Sequence, residues 1–275
     1  NEKDSVHEPP MRKNYPGTGH LPPFRKEGGI QLYQSVHRYL SDGQRKTAKV
    51  VPGVAPALEF DLSPLPSLDT VIGGGFPKGR CTALVGDRGA LKSHLAYLWL
   101  LSAASRSASE PALLLSLRDD ETEALSRLLA IYATEKPRLP GLLSPIDLID
   151  KGLLRVVHFR PGYIAPDEFM FRLWFHVNDF KPRRVVIASL EQLDTLFPLC
   201  SVEPAFVPSI LDVLGDSKIT TVAIGVSGEN QPPTQYGLLP QSSLILSFKR
   251  DPAAAPGRIR LGVSRLPTAR PSGGG

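Results

Sequence analysis

"GDRGALKS", Gly86 to Ser93, is the stretch on which the reading of this chain turns. It sets a glycine, a gap, a second glycine and then Lys-Ser. The usual phosphate-binding loop is G-x-x-x-x-G-K-[ST], with a glycine directly before the lysine. Here that position is Leu91. The stretch follows "RCTALVG" (80–86), which is short, apolar and strand-like. It runs into "KSHLAYLWLLSAASR" (92–106), which reads as a helix. Strand before and helix after are the context such a loop requires. Its backbone N–H groups and the helix N-terminus then face the phosphates. The lysine reaches the β- and γ-phosphates, and the hydroxyl ligates magnesium. On this reading Gly86, Asp87, Arg88, Gly89, Ala90, Leu91, Lys92 and Ser93 line a nucleotide site. Ser93 is the candidate metal ligand, and Arg88 adds a basic group that could stand in for part of a metal's charge.

The same alternation continues outward from the loop. "PALLLSL" (111–117), "LLRVVHF" (153–159), "RRVVIASL" (183–190), "ITTVAIGV" (219–226), "SLILSFK" (243–249) and "GRIRLGVSRL" (257–266) read as strands. "DDETEALSRLLAIYA" (119–133), "APDEFMFRLWFHVNDF" (165–180) and "FVPSILDVLG" (206–215) read as helices. Near-continuous apolar strands separated by helices imply a parallel sheet covered on both faces. The expected architecture is a three-layer αβα domain with a mostly parallel sheet.

The chain of 275 residues is 41% apolar and 21% charged, with a net charge of +5 and 27 prolines. Residues 1–50 hold nine Lys and Arg against five Asp and Glu, so most of the excess charge lies there. That stretch is too rich in proline and glycine for a packed core. The expected organisation is a basic arm over residues 1–55 and a domain over residues 56–275. Ile30–Leu40 is expected to form a short amphipathic helix on its spacing of Leu32, Val36 and Leu40. The arm is a candidate for nucleic-acid contact or for packing on its own domain or a neighbouring subunit. Cys81 and Cys200 sit in apolar runs and read as buried thiols. The longest apolar run, Leu95–Ala104, is about half the length that spans a bilayer. With a polar start and no signal peptide, the expectation is a cytoplasmic protein without a membrane segment.

"LPSLDTVIGGGFPKGRCTALVGDRGALKSHLA" (65–96) resembles the opening of the RecA/KaiC/RadA group of ATPases, in the KaiC-like branch. Leu68, Asp69, Gly73, Gly74, Gly75, Pro77 and Gly79 carry that resemblance. "APDEFMFRLWFHVNDFKPRRVVIASLEQL" (165–193) is similar to the family's helix and Walker B strand, and "SSLILSFKRDPAAAPGRIRLGVSRL" (242–266) to its closing strands. The likeness spans about Phe60 to Leu266. It implies a RecA-like fold, ATP or ADP with magnesium as ligand, and rings or filaments of this chain or a related subunit.

The departures bear on function. Where the family has the Walker B aspartate, this chain has Ala188, which cannot ligate magnesium. Where it has two glutamates after the second strand, this chain has Arg118 and Asp119. Asp119 is the remaining candidate base; the plainer role of the acids at 119–121 is helix capping. The family's late Lys-x-Arg, which acts on the neighbouring subunit, matches Arg265 and Pro267, so one basic group is missing. Binding through the loop could survive these losses; fast hydrolysis could not. The leading expectation is a degenerate module for assembly or regulation, inactive or very slow as an ATPase and binding nucleotide or nothing. The alternatives are a slow genuine ATPase using Asp119 and a recombinase-like DNA binder. The loop "SGENQPPTQYGLLPQ" (227–241) has no Lys or Arg and one tyrosine, Tyr236, which argues against DNA contact there. His94, His158 and His176 read as structural.

Overall fold

The computed structural model describes residues 58–106, 110–160, 166–196, 206–226, 242–250 and 259–265. The expected arm and its helix, Cys200, the 227–241 loop and Pro267 lie outside the described residues. Seven strands form the central sheet: β3 (Cys81–Gly86), β4 (Ala112–Ser116), β5 (Leu154–His158), β6 (Arg184–Ala188), β7 (Thr220–Ile224), β8 (Leu244–Arg250) and β9 (Ile259–Arg265). Their order is β5-β4-β6-β7-β3-β8-β9. All neighbours are parallel except β8 and β9, which are antiparallel. A separate two-stranded sheet pairs β1 (Phe60–Asp61) with β2 (Phe76–Pro77).

The helices are α1 (Pro66–Ile72), α2 (Lys92–Arg106), α3 (Glu121–Glu135), α4 (Pro145–Asp150), α5 (Pro166–Phe180), α6 (Glu191–Leu196) and α7 (Phe206–Asp216). The pleat divides each strand between two cores. Leu84, Leu114, Val186 and Val222 face one core, with residues of α1 to α4. Ala83, Leu113, Leu115, Val185, Ile187 and Ala223 face the other, with residues of α5 to α7. Covering both faces is what makes these strands apolar at every position rather than at alternate ones. The expected three-layer α/β architecture is therefore present.

On the first face, α2 is the central helix. Trp99 is wholly buried, and its ring meets Phe76 edge-on at 5.4 Å. On the second face, Phe159, Phe169 and Phe206 form a chain of T-shaped contacts at 4.9 and 5.6 Å. One buried ionic cluster ties the small sheet to the large one. Arg184, at the start of β6, donates Nε and Nη2 to Asp61 and Nη2 to Glu110. Burial works against its charge, but the two carboxylates prevail and hold its pKa above the ordinary value.

Because the strands β3 to β8 run parallel, their C-terminal ends share one edge. Chain connections leave β3 in one direction, toward β4, while β8 pairs on its other side. Crevices of this kind, at a reversal of strand order, are where open α/β sheets bind ligands.

Candidate functional site

The stretch Gly86–Ser93 sits at that edge, between β3 and α2. Gly86 closes β3 at φ 131°. A Cβ there would lie 1.9 Å from the Phe248 carbonyl oxygen of β8, so only glycine fits. The loop is pinned to β8 twice more. The Asp87 amide donates to Phe248 O at 3.1 Å, and Asp87 Oδ2 accepts from the Arg250 amide at 3.0 Å. The turn closes with the Ala90 amide on Asp87 O at 3.3 Å, and Ala90 is buried.

Leu91 has φ 57°, the left-handed region, and its side chain is 55% exposed. The backbone adopts a conformation suited to glycine, and the leucine side chain turns out toward solvent instead of filling the loop. Its carbonyl accepts from Leu95, the first bond of α2. Lys92 is 5% exposed, and its Nζ turns back into the loop, donating to Gly86 O at 2.7 Å and Asp87 O at 2.5 Å. Burial lowers its pKa, while the charges of Glu191 and Asp87 oppose the shift. Ser93 is half-buried in the first turn of α2, and Arg88 is exposed.

Asp119 is buried just after β4. Ser116 Oγ donates to its carbonyl at 2.6 Å and accepts from its amide at 3.1 Å. Its carboxylate is held by two arginines: Arg118 Nε on Oδ1 at 3.1 Å, and Arg127 with Nε on Oδ2 at 2.9 Å and Nη2 on Oδ1 at 3.3 Å. The cap of α3 is its neighbour, Asp120, which accepts from the Glu123 amide at 2.8 Å. Arg118 is held above its ordinary pKa by the hydrogen bond to Asp119, against burial and with help from Glu191. Tyr97 is pushed up to about 12 by burial and by Asp119, with Arg127 and Arg118 opposing. Ala188, buried at the end of β6, offers no side-chain donor. Ser189 follows it at φ 65°.

Glu191, Arg127 and Arg250 join this neighbourhood without having been marked by the sequence pattern. Glu191 opens α6, three residues after Ala188, and its charge acts on both Lys92 and Arg118. Arg127 lies two turns into α3, a spacing that does place it over the helix start. Arg250 is 163 residues from the Asp87 it bonds, so no local pattern could have found it. Arg265 is not brought to the loop. β9 runs antiparallel and pairs Arg265 with Ile245, toward the opposite end of β8. Two of the histidines are held elsewhere: His94 is bonded to Glu135 at 3.0 Å, and His176 meets Phe159 at a tilt and Phe175 edge-on.

No protein-family model matches this chain, and a search of the curated proteins finds no match.

The loop's chemistry suits an anion: a helix start and a buried lysine lie together. It does not suit a carboxylate-held magnesium. Of the positions named for metal and base, Ser93 has only a hydroxyl, Ala188 has nothing, and Asp119 is shared between two guanidinium groups. Among the described residues no group of three or more His, Cys, Asp or Glu is placed to hold a metal ion. No described helix is long and apolar enough to cross a membrane.

Proposed function

We propose that this chain is a RecA/KaiC-like module that binds the phosphates of a nucleotide and does not turn it over at a useful rate, serving assembly or regulation of a larger complex with copies of itself or a related subunit. The observation that carries the reading is Lys92. An ammonium group is expensive to bury. This one is buried at the mouth of β3, satisfied by carbonyls of its own loop. A phosphate entering the loop would offer it stronger, charge-assisted acceptors in place of those carbonyls. The exposed Leu91 side chain leaves the loop interior clear of the bulk that a leucine before the lysine could have introduced.

The reading of slow or absent hydrolysis rests on the carboxylates. A base must reach an attacking water. Asp119 is desolvated and bidentate with Arg127, and Ala188 cannot orient a metal. Nothing in the loop calls for nucleic acid.

Isothermal titration of the full chain with ATP and with ADP tests the binding half, alongside the Lys92→Ala variant. The expected result is saturable binding lost in the variant, with no phosphate release above background. Absence of binding in the parent overturns the phosphate reading. Turnover in the roughly 1–100 s⁻¹ range of kinases overturns the degenerate one.

A further inference from the structure

Arg250 ends β8 beside the loop, and nothing in the loop's sequence points to it. Its position is fixed from two sides. β8 is in parallel register with β3, with Phe248 opposite Gly86. The Arg250 amide then donates to Asp87 Oδ2 at 3.0 Å. From this anchored backbone the guanidinium folds over Gly89. A Cβ on Gly89 would lie 2.2 Å from Arg250 Nη2, and Gly89 has φ 73°. The glycine thus makes room for an arginine. Arg250 is exposed, and among the described residues its guanidinium has no carboxylate partner. A planar guanidinium laid along this loop is an arrangement for a multiply charged oxyanion such as a phosphate.

We propose that Arg250 is a second phosphate-binding cation of the Gly86–Ser93 loop, acting within the same chain and discriminating nucleotides by the number of their phosphates. The inference rests on the phosphate reading of that loop. Lys92 is bonded to the carbonyls of Gly86 and Asp87, at the strand end of the loop. Arg250 covers the outer side at Gly89, where a further phosphate of a di- or triphosphate would extend. It supplies in cis a positive charge at the loop, while Arg265 of the same chain sits toward the other end of β8 and Pro267 carries none.

The test is titration of the full chain with ATP, ADP, AMP and inorganic triphosphate, for the parent, Arg250→Ala, Arg250→Lys and Lys249→Ala. Lys249 is the adjacent exposed cation and reports the effect of removing any positive charge at this edge. Losing one charge-assisted contact is expected to weaken ATP and triphosphate roughly 10- to 100-fold, and AMP less than about 3-fold. Arg250→Lys is expected to recover part of the loss and Lys249→Ala to change little. Equal losses in Arg250→Ala and Lys249→Ala would reduce the effect to general charge and overturn the proposal. So would an unchanged ATP affinity in Arg250→Ala while Lys92→Ala abolishes binding, an outcome that leaves the phosphate reading standing. A parent that binds no polyphosphate overturns both. Arg250 is a surface side chain, so thermal melts of its variants are expected to match the parent.

Discussion

Replacing Leu91 separately by glycine and by alanine asks whether the loop holds its left-handed turn in solution. At φ 57° any residue with a Cβ is strained by about 1–2 kcal/mol relative to the right-handed form. Alanine keeps that strain and glycine removes it. Glycine's looser unfolded chain takes back about 0.4–1 kcal/mol. The glycine variant is therefore expected to exceed the alanine variant by about 0.5–1 kcal/mol. In an ordinary helical position the order is reversed, with alanine ahead by about 1 kcal/mol. Both variants lose the buried part of the leucine side chain. That side chain is 55% exposed, so the loss is less than half of the roughly 1.5–3 kcal/mol for full burial, or about 1 kcal/mol. Alanine should then fall about 1 kcal/mol below the parent, and glycine should lie close to it. For a domain of this size each kcal/mol moves Tm by roughly 2–4 °C. Urea denaturation of the three proteins, with unchanged m-values, supplies the comparison. An alanine variant as stable as the glycine variant, or more so, would refute the left-handed assignment. The account of how the chain tolerates leucine before the lysine would go with it.

Other positions give sharper single readouts. Lys92→Met is expected to raise stability at neutral pH, because it removes a charge whose burial lowers the pKa below 10.5. Between the depressed folded pKa and 10.5 the unfolded chain binds more protons, so the parent gains stability as pH rises and the advantage of Met fades by pH 10.5; melts that show no such convergence contradict it. Asp61→Asn weakens a buried pair with Arg184 and is expected to cost about 3 kcal/mol, at the low end for a broken buried pair because Glu110 still faces the arginine; a Tm within 2 °C of the parent (about 1 kcal/mol) would show the cluster to be dispensable. Cys81, buried and pushed up to about 12 chiefly by desolvation, is expected to resist alkylation at pH 8 in a Cys200→Ser background and to react fully in denaturant; fast native labelling would show that the β3 end opens.

The layer order was legible because it depends on patterns that the chain repeats. Each of Leu113–Leu115, Val185–Ile187 and Val222–Ile224 is apolar on both faces, and only a sheet sandwiched by helices buries both. The Gly86–Ser93 turn was legible because its strand and helix are its sequence neighbours. What the leucine would do was open, since sequence gives a residue's bulk but not its φ or the direction of its Cβ. Asp119 shows another limit. A carboxylate after a strand is equally suited to a base and to an ion pair, and the difference lies in Arg127, two turns into the helix that follows. Arg250 was invisible because its neighbour in space is set by sheet order, a long-range property. The expected helix at Ile30–Leu40 and the role of Pro267 fall outside the described residues.

The clearance at Gly86 has a consequence for how such chains are recognised. Its missing Cβ is demanded by the Phe248 carbonyl across the sheet, and that demand persists whether or not anything ever occupies the loop. A pattern search credits this glycine as a vote for a ligand, yet a descendant that had lost all affinity would be compelled to keep it. The informative letters are those the backbone would release once the ligand no longer mattered. Lys92, whose burial the fold would be better without, is the first to watch, because drift would replace it as soon as its use ended.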